Sequence, residues 1–194
     1  MPRVSEVDLE SLPENIRSAL EGRRAPGFEG DTWEAVAAHC PEALAHIAGL
    51  MKSFGEYGVM PKRYIEIAVV TVSQVNACRH CVGRHSVRLN TLGLGHETIA
   101  QILQPDCPGL DEKDRLVRDY AMQVSENSAS LRDGLFEELT RYFSEAEIVE
   151  LTLRIGLAGF FNRFNNAMQV DLDEAHFNAF LSQSGTKDSL PPPA

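Results

Sequence analysis

Apolar residues recur at helical spacing along most of the chain. In residues 32–58 the apolar positions that would share one helical face are Trp33, Val36, Leu44, Ile47 and Met51. Pro41 interrupts this run and suits the first turn of a helix, so the segment predicts two consecutive helices. Gly55 and Gly58 end the pattern.

The next apolar run, residues 61–76, has two competing interpretations. Its many β-branched residues are typical of a strand. However, the run lacks the period-two alternation of a half-buried strand, and the segments around it are helical in pattern. We therefore predict a helix that opens at Pro61 and ends near Asn76.

Capping residues mark the later helices. The helix after Asn76 ends at Gly93, a residue type favoured just beyond a helix end. Further predicted helices are 96–103, 112–127 capped by Asp111, 145–170 opened by a Ser144/Glu147 capping box, and 172–183. No strong strand or hairpin signal is present, so the predicted class is all-α. We expect a helical extension over 1–30, a helical domain over 31–182 and a flexible tail over 183–194.

Composition excludes several classes of function. The 194-residue chain is 43% hydrophobic and 24% charged, with a net charge of −10. No basic stripe dominates, which argues against a nucleic-acid partner. No apolar run is long enough to span a membrane, and residues 1–10 lack the apolar core of a secretory signal. We therefore expect a cytoplasmic protein, in which cysteines stay reduced unless they are catalytic, regulatory or metal-bound.

The stretch NACRHCVGRH, residues 76–85, holds two of the four cysteines and two of the six histidines. Helical spacing would place Cys78, Cys81 and His85 on one face, near a helix N-terminus that stabilises a thiolate. Between Tyr57 and Gly95 five basic residues surround one acidic residue, a local excess of four positive charges. We predict a thiol pKa below the ordinary cysteine value for this pair.

Glu66 is the acidic residue of this basic segment, and it lies within an apolar helix. A partly buried carboxylate needs a hydrogen-bonding or charged partner. Two interpretations stand at this point: Glu66 belongs to the cysteine site, or it pairs with Lys62 or Arg63 at the surface.

Together Glu66, Cys78, His80, Cys81 and His85 read E-x11-C-x-H-C-x3-H. This pattern and its flanking segments resemble the alkylhydroperoxidase D branch of the carboxymuconolactone decarboxylase superfamily over roughly residues 30–175. The resemblance implies a compact all-α fold, assembled as homotrimers or homohexamers. It also implies an enzyme that reduces hydroperoxides through a dithiol, with no bound cofactor or metal and with electrons from an external dithiol such as a lipoyl-bearing partner.

The resemblance also implies roles for the matched residues. Cys81 would attack the peroxide, and Cys78 would resolve the sulfenic acid by forming a disulfide with Cys81. Glu66 and His85 would relay the proton, and His80 would support the site. Bottom-up chemistry agrees, because a base must deprotonate the nucleophilic thiol and a second thiol prevents overoxidation.

Four alternatives accompany this interpretation. A zinc site built from Glu66, Cys78, Cys81 and His85 is disfavoured, because ligands at i, i+3 and i+7 spread over about 10 Å of helix. A thiol–disulfide oxidoreductase or redox sensor without a dedicated peroxide stays open. The third alternative, a decarboxylase of the same superfamily, is disfavoured because that branch lacks the cysteine pair. The fourth, a helical oligomer with two unreactive core cysteines, is disfavoured because a core helix would be more apolar than this one.

Three further residues carry simpler expectations. We expect Cys40 to be a core thiol and Cys107 a loop thiol. Arg163 lies among asparagines on an otherwise apolar helix, where it serves hydrogen bonding or lines the entrance of the site.

Overall fold

The computed structural model describes residues 1–21 and 32–170, and the regular elements in these ranges are helical. The α-helices are α1 (Glu14–Glu21), α2 (Thr32–Ala37), α3 (Pro41–Tyr57), α4 (Lys62–Val75), α5 (Arg79–Thr91), α6 (His96–Ala100), α7 (Glu112–Asn127), α8 (Asp133–Tyr142) and α9 (Glu145–Met168). Leu9–Ser11 and Ser128–Ser130 form short 3-10 turns. The predicted all-α class is confirmed for the described residues, and none of their helices has the length and apolarity of a membrane span.

The described residues fall into two compact units. The first, called here the N-terminal unit, comprises 1–21, 32–58 and 165–170; the second, called the dithiol unit, comprises 59–164. In the N-terminal unit α3 packs against α1 and α2 around a small apolar core that includes Ile16, Leu20 and Leu44. Pro41 occupies the first turn of α3, as predicted.

Helix α4 is the centre of the dithiol unit. Its residues from Ile65 to Ser73 are all buried, and it packs against both α5 and α7. A helix that is apolar on every side is stable only inside a core. This all-round burial explains why the segment has no clear amphipathic pattern, and the predicted helix, rather than a strand, is confirmed.

An ion pair between the half-buried Arg63 and the buried Asp114 connects α4 to its neighbours. Arg63 donates from Nε and Nη2 to Asp114 Oδ1 and Oδ2 of α7, at 2.9 and 2.6 Å. Its Nη1 donates to the Leu92 carbonyl at the end of α5, at 2.9 Å. Asp114 is fully buried and is also the N3 member of a capping box with Asp111, so one carboxylate connects the start of α7 to α4. Because Arg63 of α4 contacts both Asp114 and the Leu92 carbonyl, it also connects α4 to the end of α5.

The helix ends agree with most of the predicted caps. Gly93, at φ 87°, closes α5 with hydrogen bonds from Gly93 N–H to the Asn90 carbonyl and from Leu94 N–H to the Leu89 carbonyl. This is the Schellman arrangement, in which a left-handed residue satisfies the last carbonyls. The Ser144/Glu147 capping box is confirmed at α9.

Two elements differ from the prediction. Helix α6 ends at Ala100 rather than near residue 103, because the chain turns there into a loop that Arg118 holds through the Ile102 and Gln104 carbonyls. Helix α8 is absent from the predicted elements, although Leu135 and Leu139 at i, i+4 form its buried face. The helix predicted over 172–183 and the tail over 183–194 lie outside the described residues.

Candidate dithiol site

The turn between α4 and α5 places the cysteine pair. Helix α4 ends in a second Schellman arrangement, with Ala77 N–H donating to the Gln74 carbonyl at 3.1 Å and Cys78 N–H donating to the Ser73 carbonyl at 2.9 Å. The left-handed residue is Ala77, at φ 50°, where glycine is usual. The left-handed conformation of Ala77 costs free energy, and it allows α5 to begin directly at the cysteine motif.

Cys78 is the N-cap of α5. Its Sγ accepts a hydrogen bond from the Cys81 backbone N–H at 3.4 Å, and the two cysteines form a disulfide across a Cα–Cα distance of 5.4 Å. Because its backbone is extended, Cys78 precedes the helix on which Cys81 and His85 share a face. Both sulfurs thus lie at the positive end of the helix dipole, as the sequence predicted.

Glu66 and His85 meet between α4 and α5. His85 Nδ1 lies 2.6 Å from Glu66 Oε2, and because a carboxylate only accepts, the ring nitrogen donates. Arg88, one turn beyond His85, places Nη1 at 3.6 Å from Glu66 Oε1. The Glu66 carboxylate therefore contacts both His85 and Arg88, which lie on the same face of α5.

Opposing effects set the pKa of Glu66. Burial favours the neutral carboxyl and raises the pKa, since the residue is only 9% exposed. His85 and then Arg88 favour the carboxylate by charge and hydrogen bonding, and the net result is a pKa below the ordinary carboxyl value. Glu66 is consequently ionised at neutral pH and holds the ring of His85.

The surface pairing considered for Glu66 is wrong. Glu66 is buried and contacts α5, whereas Arg63 is bound to Asp114. The sequence could not distinguish these outcomes, because Lys62 and Arg63 are near Glu66 along the chain while His85 is 19 residues away.

The other predicted members also gather at the start of α5. His80 is buried at 6% exposure, adjacent in sequence to Cys81. Cys81 is 6% exposed and Cys78 fully buried, so the Cys81 sulfur belongs to the more accessible residue. The chain thus brings all five residues of the motif to α5 and the facing side of α4.

Several expectations from outside the motif change. Cys40 is exposed at the start of α3 rather than in a core, whereas Cys107 is in the predicted loop but fully buried. Burial raises the pKa of the Cys107 thiol, which keeps it protonated. Arg163 donates to the Gly159 carbonyl one turn earlier in its own helix, at 2.9 Å.

Two parts of the site were missed in the sequence. Arg88 is one, although its i, i+3 spacing from His85 places it on the same face of α5. The other is the hydrogen-bond bridge through Asn162, one of the asparagines around Arg163 for which core or interface hydrogen bonding was expected; it lies 77 residues beyond His85, and no spacing rule could connect it to the motif. No group of three or more His, Cys, Asp or Glu side chains in residues 1–21 and 32–170 is arranged to hold a metal ion.

Solved structures with the same architecture identify the fold. An alkylhydroperoxidase AhpD core, an uncharacterized peroxidase-related protein from Ralstonia eutropha JMP134, matches with a TM-score of 0.78 and 23% identity over 91% of this chain and 95% of that one. A protein of unknown function from Agrobacterium tumefaciens, proposed as an AhpD antioxidant defence protein, matches with a TM-score of 0.64 and 25% identity over 70% and 94%. The chain has the alkylhydroperoxidase D-like fold. The resemblance predicted from the motif is thereby confirmed.

The alkylhydroperoxidase D-like fold also occurs in a protein with a different reaction. The debrominase Bmp8, as a cysteine-to-alanine variant in complex with 2,3,4-tribromopyrrole, matches with a TM-score of 0.74 and 21% identity over 93% of this chain and 96% of that one. The uncharacterized protein YnjA of Escherichia coli strain K12 is 28% identical over 100 residues, 51% of this chain and 55% of its own length. The matched segment thus spans about half of that relative. No protein-family model matches the chain.

Proposed function

We propose that the protein is a thiol-dependent peroxidase that reduces hydroperoxides through Cys78 and Cys81. The observation that carries this proposal is the 2.6 Å contact between His85 Nδ1 and Glu66 Oε2, on the helix that begins with the cysteine pair. The thiolate, not the thiol, is the nucleophile, so a base must remove the thiol proton first. A histidine held by a buried carboxylate one turn from a thiol is the arrangement that proton removal from that thiol requires.

The first step is deprotonation of Cys81. His85 Nδ1–H donates a hydrogen bond to Glu66, which leaves Nε2 as the basic ring nitrogen. His85 is four residues after Cys81 on α5, so the two side chains share a face and Nε2 takes the thiol proton directly or through water. The helix N-terminus and the basic segment stabilise the resulting thiolate.

The thiolate then reduces the peroxide. The Cys81 sulfur attacks the terminal, hydroxyl-bearing oxygen of the hydroperoxide, so that an S–O bond forms and the O–O bond breaks. The alkoxide released takes the proton from His85 and leaves as an alcohol, while Cys81 becomes a sulfenic acid. Cys78 attacks that sulfur, the S–S bond forms, and the hydroxyl group leaves as water with the thiol proton of Cys78.

An external dithiol, such as a lipoyl group on a partner protein, returns two electrons. The more exposed residue, Cys81, is the point of attack, and Cys78 leaves as a thiolate. The hydrogen bond from the Cys81 N–H to the Cys78 Sγ supports this direction, because it stabilises negative charge on the departing sulfur.

Peroxide consumption with dihydrolipoamide as donor tests the proposal. We expect turnover in wild type and its loss in Cys81→Ser and Cys78→Ser, with Cys40→Ser as the matched control for an exposed thiol outside the site. Glu66→Gln is expected to reduce the rate by about 100-fold, the lower range for loss of a positioned proton relay. Turnover retained in Cys81→Ser would exclude Cys81 as the attacking thiol.

A thiol–disulfide oxidoreductase or redox sensor is the second candidate. It is favoured by the debrominase with the same fold, which shows that the fold serves a reaction other than peroxide reduction. Stopped-flow oxidation separates the two candidates. Oxidation by cumene hydroperoxide or hydrogen peroxide no faster than that of a free thiol, together with fast exchange with a disulfide, would favour the second.

We also infer that the protein acts in the cytoplasm as a homotrimer or homohexamer. Val149, Leu153 and Phe160 lie along one side of α9 and are 59%, 55% and 46% exposed, an apolar stripe that a second copy would cover. Light scattering tests the assembly. A monomer in wild type, or an unchanged mass in Leu153→Glu, would contradict this interface.

A further inference from the structure

A buried hydrogen-bond bridge connects α9 to the last turn of α4. Asn162 Nδ2 donates to Ser73 Oγ at 3.1 Å, and Asn162 Oδ1 accepts from Asn76 Nδ2 at 3.1 Å. Asn162 and Ser73 are fully buried, so the bond between them is shielded from water, whereas Asn76 is partly buried. One amide therefore holds both ends of the final turn of α4.

The two residues held by Asn162 also define the turn before the motif. The Ser73 carbonyl accepts the Cys78 N–H at 2.9 Å, and Asn76 is the C-cap that precedes Ala77. Ala77 adopts φ 50°, which costs free energy for a residue with a Cβ. A turn with such a cost persists only where surrounding contacts impose it.

We propose that Asn162 is a positioning residue for the resolving cysteine. Its bridge to Ser73 and Asn76 maintains the left-handed turn at Ala77, and this turn places Cys78 Sγ over the start of α5, within reach of Cys81. The inference deepens the proposed dithiol function and rests on it. It assigns a role to an asparagine on α9 that lies outside the cysteine motif.

The step that depends on this placement is disulfide closure. When the turn is formed, the Cys78 sulfur attacks the Cys81 sulfenic acid, forming the S–S bond and releasing water. When the turn relaxes, the sulfenic acid persists, and a second hydroperoxide converts it to sulfinic acid with release of an alcohol. Asn162 thus sets the ratio of disulfide to sulfinic acid without contacting the peroxide.

Equilibration with reduced and oxidised dithiothreitol measures the effective concentration of one thiol at the other. We expect Asn162→Ala to lower it about tenfold, the ratio that corresponds to the net contribution of one buried hydrogen bond. Ser73→Ala removes only the side-chain end of the bridge and is expected to lower it in the same direction. It also serves as the decisive variant if Asn162→Ala does not fold.

The matched control is Thr152→Val. Thr152 is also on α9 and makes a side-chain hydrogen bond to another helix, at 2.7 Å from Tyr120 Oη, but not to the end of α4. We expect this variant to keep the wild-type effective concentration. Adding Ala77→Gly to Asn162→Ala is expected to restore part of the loss, because glycine adopts the left-handed turn without the cost of a Cβ.

Mass spectrometry after peroxide addition provides the second measurement. Asn162→Ala is expected to accumulate sulfinic acid at Cys81 more than Thr152→Val does, at an unchanged rate of sulfenic acid formation. A wild-type effective concentration in folded Asn162→Ala, or an equal loss in Thr152→Val, would refute the positioning role. Because the dithiothreitol titration uses no peroxide, a wild-type protein inert to peroxides would refute the peroxidase function and leave this test intact.

Discussion

Removing His85 should cost more stability than removing the charge of Glu66. In His85→Ala the buried carboxylate keeps only Arg88, which is 3.6 Å away and whose side chain is 56% exposed. Breaking a fully buried ion pair costs about 3–5 kcal/mol, and the partial exposure of the partners reduces this to about 2–3 kcal/mol. In Glu66→Gln the burial penalty of the charge disappears, and the amide oxygen can still accept the His85 proton, so we expect a cost of about 1 kcal/mol or less.

The double variant His85→Ala/Glu66→Gln tests whether the loss of stability comes from the unpaired Glu66 carboxylate. If the destabilisation of His85→Ala comes from a stranded carboxylate, then Glu66→Gln in the same chain should restore about 1–2 kcal/mol. The double variant is therefore expected to be more stable than His85→Ala alone, although it carries one more substitution. If the two residues did not interact, the losses in free energy of unfolding from the two single substitutions would add instead.

The pH dependence follows from the direction of the Glu66 shift. A carboxyl whose pKa is lower in the folded than in the unfolded state contributes stability above its ordinary value of 4.5, and this stability is lost as the pH falls through the lower, folded pKa. In His85→Ala the largest of the lowering contributions is gone, so the folded pKa rises and burial acts against the carboxylate. The difference between His85→Ala and the double variant should therefore decrease with acidification.

Urea unfolding of the oxidised proteins at about pH 7.5 and about pH 4.5 measures these quantities. Oxidised protein is used so that the disulfide is the same in every variant. A double variant no more stable than His85→Ala at the higher pH, with a pH-independent difference between them, would refute the proposed coupling of His85 to an ionised Glu66.

Three further predictions concern the surroundings of the pair. Ala77→Gly should stabilise the protein by about 1 kcal/mol in urea unfolding, since glycine removes the left-handed cost; destabilisation would indicate that the Ala77 methyl is needed for packing. Arg88→Gln should raise the pKa of Glu66 and move the acidic limb of the rate–pH profile to higher pH, whereas Lys62→Gln, equal in charge change, should leave it in place. Asp114→Asn should lower the free energy of unfolding by about 3 kcal/mol, because it leaves the Arg63 guanidinium without its charged partner. A loss below about 1 kcal/mol would contradict a stabilising role for the Arg63–Asp114 ion pair.

The local parts of the site could be predicted from the sequence. The i, i+4 relation of Cys81 and His85, the cysteines at a helix start and the closing Gly93 all depend on helix geometry within 16 residues. Such features follow from backbone periodicity and capping, which operate between near neighbours in the chain. The cysteine–histidine motif could therefore be recognised before the fold was known.

The burial of individual side chains and the contacts between distant residues could not be predicted from the sequence. Cys40 was expected in a core and is exposed, whereas Cys107 lies in the predicted loop but is buried there. The apolar face of helix α8 consists of Leu135 and Leu139, which is too short a pattern to predict a helix. This face is buried in a helix that packs against α7. These outcomes depend on which surfaces the tertiary structure removes from water.

By itself the sequence determined that this is a helical protein with a cysteine pair at a helix N-terminus and a histidine one turn later. Only the tertiary structure decided that Glu66 contacts His85 and Arg88 rather than Lys62 or Arg63, and that Asn162 hydrogen-bonds to Ser73 and Asn76 before the cysteine motif. The physical reason is that a buried polar group must find its partner inside the core. That partner is chosen by the packing of α4 against α5 and α9, and no spacing along the chain encodes it.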